Sequence, residues 1–186
     1  LWQGLELTPV VVGLFGIAEV LIVAEEKTSD AQVHSVRLRE LLPTREEWRR
    51  SAWPILRGTA VGFPFGLIPG PAAILSTFAS YALERRVSKH PEEFGKGAIE
   101  GVAGPESANN AAAGGTLVPL LSLGVPFAPP MALLLGAFVI HGVQPGPLLL
   151  REHPEVFWGL VASMYAGNVM LLILNLPLVG LFVSIL

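Results

Sequence analysis

Apolar and polar positions alternate along this chain in blocks rather than in a short period. Pro9 to Ala24 is an apolar run, and Glu25 to Ser51 is polar with both signs of charge. Trp53 to Glu84 is again apolar but is broken at Gly66-Leu67-Ile68-Pro69-Gly70-Pro71. A short polar stretch, Arg85 to Lys96, leads into the small-residue segment Gly97 to Gly115. Thr116 to Ile140 is apolar and interrupted at Leu123-Gly124-Val125-Pro126 and Ala128-Pro129-Pro130, and Phe157 to Leu186 closes the chain as a last apolar run. A continuous helix over Trp53 to Glu84 would be about 48 Å long, more than the roughly 30 Å of a bilayer's hydrocarbon core. Pro69 and Pro71 lack backbone donors, and Gly62, Gly66 and Gly70 tolerate unusual dihedrals. Two half-helices joined by a bent loop are therefore expected, with their freed backbone groups facing protein or a watery cavity.

Composition points the same way. Of 186 residues 52% are hydrophobic and 15% charged, with 20 Gly and 16 Pro placed inside the apolar runs. Soluble domains carry about 25% charged residues, and Gly and Pro within hydrophobic helices suit membrane spans. The expected fold class is all-α: a polytopic integral membrane protein with broken or re-entrant helices. Three parts are expected, a transmembrane helix over 1–24, a cytoplasmic connector with an interfacial helix over 25–52, and a transporter core over 53–186. The start at Leu1 and the apolar end LFVSIL suggest a piece of a longer protein. With no cysteine, disulfides and thiolate chemistry are excluded.

Eleven of the twelve Lys and Arg residues precede Gly97. The positive-inside rule then places both the 25–52 and 85–96 loops in the cytoplasm, so that the segment between them enters and leaves on one side. Limbs of about 24 Å make a re-entrant hairpin the simplest solution; two full crossings are the alternative. Thr44 and Glu47 fit a capping box, which predicts a helix from Arg45 toward Pro64. A helix beginning near Pro105 would carry Asn109 and Asn110 three and four residues after Glu106. Glu19 and His141 are ionisable groups in or near spans, for which interfacial and structural roles are the ordinary reading.

No hydrolase elbow, phosphate-binding loop, zinc signature or nucleophile–base pair is present, so no enzymatic activity, metal site or cofactor is expected. Net charge is −3 with the basic residues distributed by topology, and no nucleic-acid partner is expected. What remains is the chemistry of helix ends, whose orphan N–H groups attract anions while freed carbonyls can coordinate a cation. Gly142 to Pro147 repeats the G-x-x-P-G-P pattern of Gly66 to Pro71. Ser76, Thr77, Ser80, Ser107, Asn109 and Asn110 could complete a small-carboxylate site.

PGPAAILSTFASYALERRVSKHPEEFGKGAIEGVAGPESANNAAAGGTLVPLLSLGVP, followed by GAFVIHGVQPGPLL and preceded by GLFGIAEVL, resembles the large membrane subunit of tripartite tricarboxylate transporters. The resemblance implies a multi-pass secondary transporter of the bacterial inner membrane that imports citrate-like carboxylates on a Na⁺ or H⁺ gradient. Its implied partners are a small membrane subunit and a periplasmic solute-binding protein. By similarity the substrate region maps onto Gly66, Pro69, Gly70 and Pro71, onto Glu106, Ser107, Asn109 and Asn110, and onto Pro145, Gly146 and Pro147. Phe127 and Ala128 depart from the family's pattern of a Gly and a Ser after the proline. A dicarboxylate carrier of another kind and a non-transporting membrane scaffold are the alternative readings.

Overall fold

A computed structural model describes residues 42–183 and, before them, residues 13, 17, 20 and 21. Apart from those four residues the first apolar run, with Glu19, lies outside the described residues, as does most of the 25–52 connector. The chain divides into two compact units, Leu1–Val36 with Val179–Leu186, and Arg37–Leu178; the architecture below is that of the second.

Every regular element among the described residues is helical. Helix α1 (Arg45–Gly66) starts where its capping box predicts: Glu47 N–H donates to Thr44 Oγ1 at 3.3 Å and Thr44 N–H to Glu47 Oε2 at 2.6 Å. It continues through Pro54 and Pro64 to Gly66, so the expected half-helix is longer than one of about 24 Å, its first turns being charged. The chain then turns over residues 67–71 into α2 (Ala72–Val87), and the two helices pack as a hairpin. The break between them thus lies where the prolines place it.

Helix α3 (Glu100–Gly115) fills the groove of that hairpin. It begins one and a half turns before the expected start, with Pro105 inside it rather than at its first turn. Its buried face is Gly104, Pro105, Ala108, Ala112 and Gly115, and opposite stand Gly58, Gly62 and Gly66 of α1. Gly104, Ala108 and Ala112 repeat every four residues, as do Gly58, Gly62 and Gly66, each series along one face of its helix. A Cβ on Gly62 would lie 2.6 Å from Ala108 Cα, and one on Gly66 would lie 2.7 Å from Gly115 Cα. The backbones therefore touch directly, the contact that small-xxx-small series permit in membranes. Gly62 and Gly66 serve this contact, not unusual dihedrals; of the three glycines named for that reason only Gly70 has a positive φ, at 142°.

After α3 the chain passes into α4 (Leu117–Leu123), ended by Gly124 in the left-handed conformation, then α5 (Pro129–Ile140), the single turn α6 (Leu149–Glu152) and α7 (Pro154–Val183). Here the packing is of large side chains: Leu120, Leu121, Phe138 and Leu149 are buried against Leu117, Leu134, Phe157 and Leu160, among others. Residues Pro154–Val179 of α7 form the one helix among the described residues long and apolar enough to cross a membrane. Its largely exposed apolar surface, which in water would be costly, is that of a membrane protein.

Candidate functional site

The two Pro-Gly-Pro breaks adopt related backbones. Gly70 and Gly146, the central glycines, have φ of 142° and 156°, where side-chain-bearing residues are rarely found. The copies diverge at their first glycine, since Gly66 is helical and buried whereas Gly142 has φ of 70°. The second break is tied to α4: Gly146 N–H donates to Leu121 O at 3.1 Å, and a Cβ on Gly124 would lie 2.8 Å from Pro145 O. A cleft of about 680 Å³ opens between this break and the end of α1, with Phe63, Gly114, Gly146, Pro147 and Tyr165 in its walls. Gly66 lies one turn beyond Phe63, so the approach to the first break and the second break itself border one space. Pro69, Gly70 and Pro71 are exposed and do not line it.

The four expected site residues of α3 point in different directions. Ser107 faces α1, donating to Ile55 O and meeting Thr59 Oγ1, each at 3.0 Å. Asn109 faces α2 in a small cleft with Thr77 and Phe78, and Glu106 lines the adjoining one with Tyr81. Asn110 is exposed and donates to Glu106 O at 2.9 Å. Ser76 and Ser80 are buried between α2 and α3, and Ser76 Oγ donates to Ala73 O at 2.9 Å. His141 is exposed at the end of α5. Of the expected site residues, then, Glu106 and Asn109 share the α2–α3 groove, Gly146 and Pro147 share the apolar cleft, and Ser107 is engaged between helices.

Sequence reasoning missed a cluster of charges at the other end of the hairpin. Arg57 of α1 holds Glu84 of α2 in a two-pronged pair, Nε to Oε1 at 2.8 Å and Nη2 to Oε2 at 2.5 Å. Glu84 is 1% exposed and Arg57 37%. Two turns earlier Arg50 bridges Glu100 at 2.8 Å and Glu93 at 2.9 Å. These groups, with Lys89 and His90, surround a polar cleft of about 390 Å³. A usable signal was there: Arg50 and Arg57 stand seven residues apart, on one helix face, and Arg57 lies inside an apolar run.

Compared with known proteins, residues 1–186 match the profile of the Tripartite tricarboxylate transporter TctA family over their whole length. The chain belongs to the TctA family. TctA proteins are components of tripartite membrane transporters rather than enzymes, and the all-helical fold with a membrane-length helix agrees with that membership. Two relatives come from Agrobacterium vitis. The "Uncharacterized 52.8 kDa protein in TAR-I ttuC' 3'region" is 50% identical over 186 residues, covering all of this chain and 37% of that protein. The "Uncharacterized protein in TAR-II ttuC' 3'region" is 56% identical over 125 residues, covering 67% of this chain and 52% of that protein. The TctA chain described here thus spans between a third and about half of the length of these relatives. No solved structure matches it.

Proposed function

We propose that this TctA segment forms part of the large, multi-pass membrane subunit of a secondary transporter that imports citrate-like tricarboxylates or related carboxylates. A Na⁺ or H⁺ gradient drives the import across a bacterial inner membrane. A periplasmic solute-binding protein delivers the substrate, and a small membrane subunit completes the complex. Family membership over the whole chain supports the transporter reading. The observation that carries the site is the approach of the two interrupted segments to one cleft, Phe63 from the α1 end and Gly146-Pro147 from the second break. Interrupted helices that meet inside a membrane protein are where transporters expose backbone dipoles to an ion or a substrate.

In this proposal Gly66, Pro69, Gly70, Pro71, Pro145, Gly146 and Pro147 shape the helix ends that hold the carboxylates. Glu106, Ser107, Asn109 and Asn110 of α3 tune that site from alongside, and Phe127 and Ala128 set its size near the end of α4. Reconstitution of the full-length subunit with its two partners in liposomes tests it. Labelled citrate, or another carboxylate of a broad panel, should accumulate only while a Na⁺ or H⁺ gradient persists. Replacing Asn109 with Ala should weaken uptake while the complex still assembles. Absence of uptake for every carboxylate of the panel overturns the proposal.

A further inference from the structure

The Arg57–Glu84 pair differs from an ordinary helix clasp in three respects. First, its two members differ in access: both border the 390 Å³ polar cleft, but the Arg57 side chain is 37% exposed and that of Glu84 only 1%. A cleft of this volume lies within the range of small-molecule sites. Second, the fork-on-carboxylate geometry at 2.8 and 2.5 Å is the one in which an arginine takes any carboxylate, from protein or from solute.

Third, Glu84 lies on a buried polar file of α2, with Ser76 and Ser80 preceding it at intervals of one turn. Ser80 Oγ is fully buried and has no hydrogen-bond partner among the described residues. It and Glu84 both flank Gly104, where a Cβ would lie 2.7 Å from Glu84 Cγ and 3.2 Å from Ser80 Oγ. A buried hydroxyl without a partner is costly, and its lone pairs are what a protonated carboxyl group needs as an acceptor.

We propose that a substrate carboxylate entering the polar cleft competes with Glu84 for Arg57, and that Glu84 takes up a proton when it loses. The inference rests on the carboxylate-transport reading and adds to it a second carboxylate contact, in the polar cleft and apart from the one beside Gly146 and Pro147, with Arg57 as its binding residue and Glu84 as its coupling residue. A carboxylate left buried without its cation is strongly disfavoured in charged form, so a proton from the cleft replaces the guanidinium. The O–H formed on Glu84 is donated to Ser80 Oγ. Substrate and proton then bind together, because neither displacement nor protonation is favourable alone. The charged and titratable groups that face the pair are Arg50 and Glu46 from α1. Lys89, His90 and Glu93 follow α2, and Glu100 comes from α3.

The test uses the full-length subunit with both partners in liposomes that carry an internal pH dye, with labelled citrate and the carboxylate panel as probes. Wild type should take up protons together with the carboxylate. Glu84→Gln should lose accumulation driven by a pH gradient by at least about tenfold, the scale of coupling between two sites, yet keep carboxylate exchange at equal concentrations on both sides. Arg57→Gln should raise the KM for uptake, and Arg57→Lys should restore part of it. Wild-type uptake that is indifferent to the pH gradient and moves no proton overturns the coupling role even if Glu84→Gln does not fold. So does undiminished pH-driven accumulation by Glu84→Gln. Transport would still stand in either case. Absence of wild-type uptake for the whole panel overturns the transport reading and this inference together.

Discussion

Between α1 and α3 the contact is made by main-chain atoms, with Gly58, Gly62 and Gly66 set against Gly104, Ala108 and Ala112. Around α4 it is made by large side chains, Leu120, Leu121, Phe138 and Leu149. The first contact leaves almost no apolar side chain to bury, so its stability rests on close approach, on Cα–H groups beside the carbonyls of α3, and on polar pairs such as Ser107 with Ile55 O and Arg50 with Glu100. The second is ordinary close packing. The difference shows in what each region tolerates: a bare helix face cannot accept a single methyl group, whereas an apolar cluster suffers mainly from losing one.

The largest expected effect therefore comes from adding atoms where the backbones touch. Gly62→Leu should prevent α3 from seating in the hairpin and abolish folded protein, read as loss of the cooperative melting transition in detergent. Gly136→Ala, where a Cβ has nothing within 4 Å, should leave the melting temperature unchanged or raise it, since an exposed helical Gly costs about 1 kcal/mol relative to Ala. Equal damage from both would erase the distinction between the two regions.

Next in size are deletions. Arg57→Met leaves Glu84 buried without its cation and should cost about 3–5 kcal/mol. The same change at half-exposed Arg50 should cost less, because water screens a pair that stays accessible. In the apolar cluster Leu120→Ala should cost about 2–5 kcal/mol. Denaturant titration of each variant against wild type reads all three.

The smallest effect belongs to the start of α1. Glu47 is held below the ordinary carboxylate value of 4.5, first by the Thr44 N–H and then by the Thr44 hydroxyl. A depressed carboxylate stabilises the fold in full above its ordinary value, and that contribution is lost as the pH falls through its lowered one. Fraying of residues 45–48, followed by amide exchange, should thus increase only in acid and should be present at neutral pH in Thr44→Ala.

Much of the fold was legible because its signals are local. The capping box fixed the start of α1, the prolines and Gly70 fixed the break, and Gly124 with Pro126 fixed the end of α4. The start of α3 was misjudged because Pro105 resembles a first-turn proline, yet it is accommodated inside a helix whose small face is buried. The spacing of Gly58, Gly62 and Gly66 is visible in the sequence, which does not say what lies opposite; the unusual dihedrals expected of Gly62 and Gly66 give way to a backbone contact. Of the site, the two Pro-Gly-Pro copies were legible as a pattern, and the cleft that the second copy shares with the end of α1 follows only from the fold. Arg57 stands out within an apolar run, but its pairing with Glu84 was not legible: the two stand on different helices, and the hairpin alone brings them together.

The contact between α1 and α3 can be read directly, because the chain has no cysteine of its own. Thr59 Oγ1 and Ser107 Oγ are 3.0 Å apart, within reach of a disulfide once both are cysteine. In the full-length subunit, on a cysteine-free background and in native membranes, Thr59→Cys with Ser107→Cys should cross-link nearly completely under mild oxidation. A control pair, Thr59→Cys with Ser122→Cys, should not. Failure of the first pair to cross-link, or equal cross-linking of both, would contradict the backbone-to-backbone packing on which this account of the fold depends.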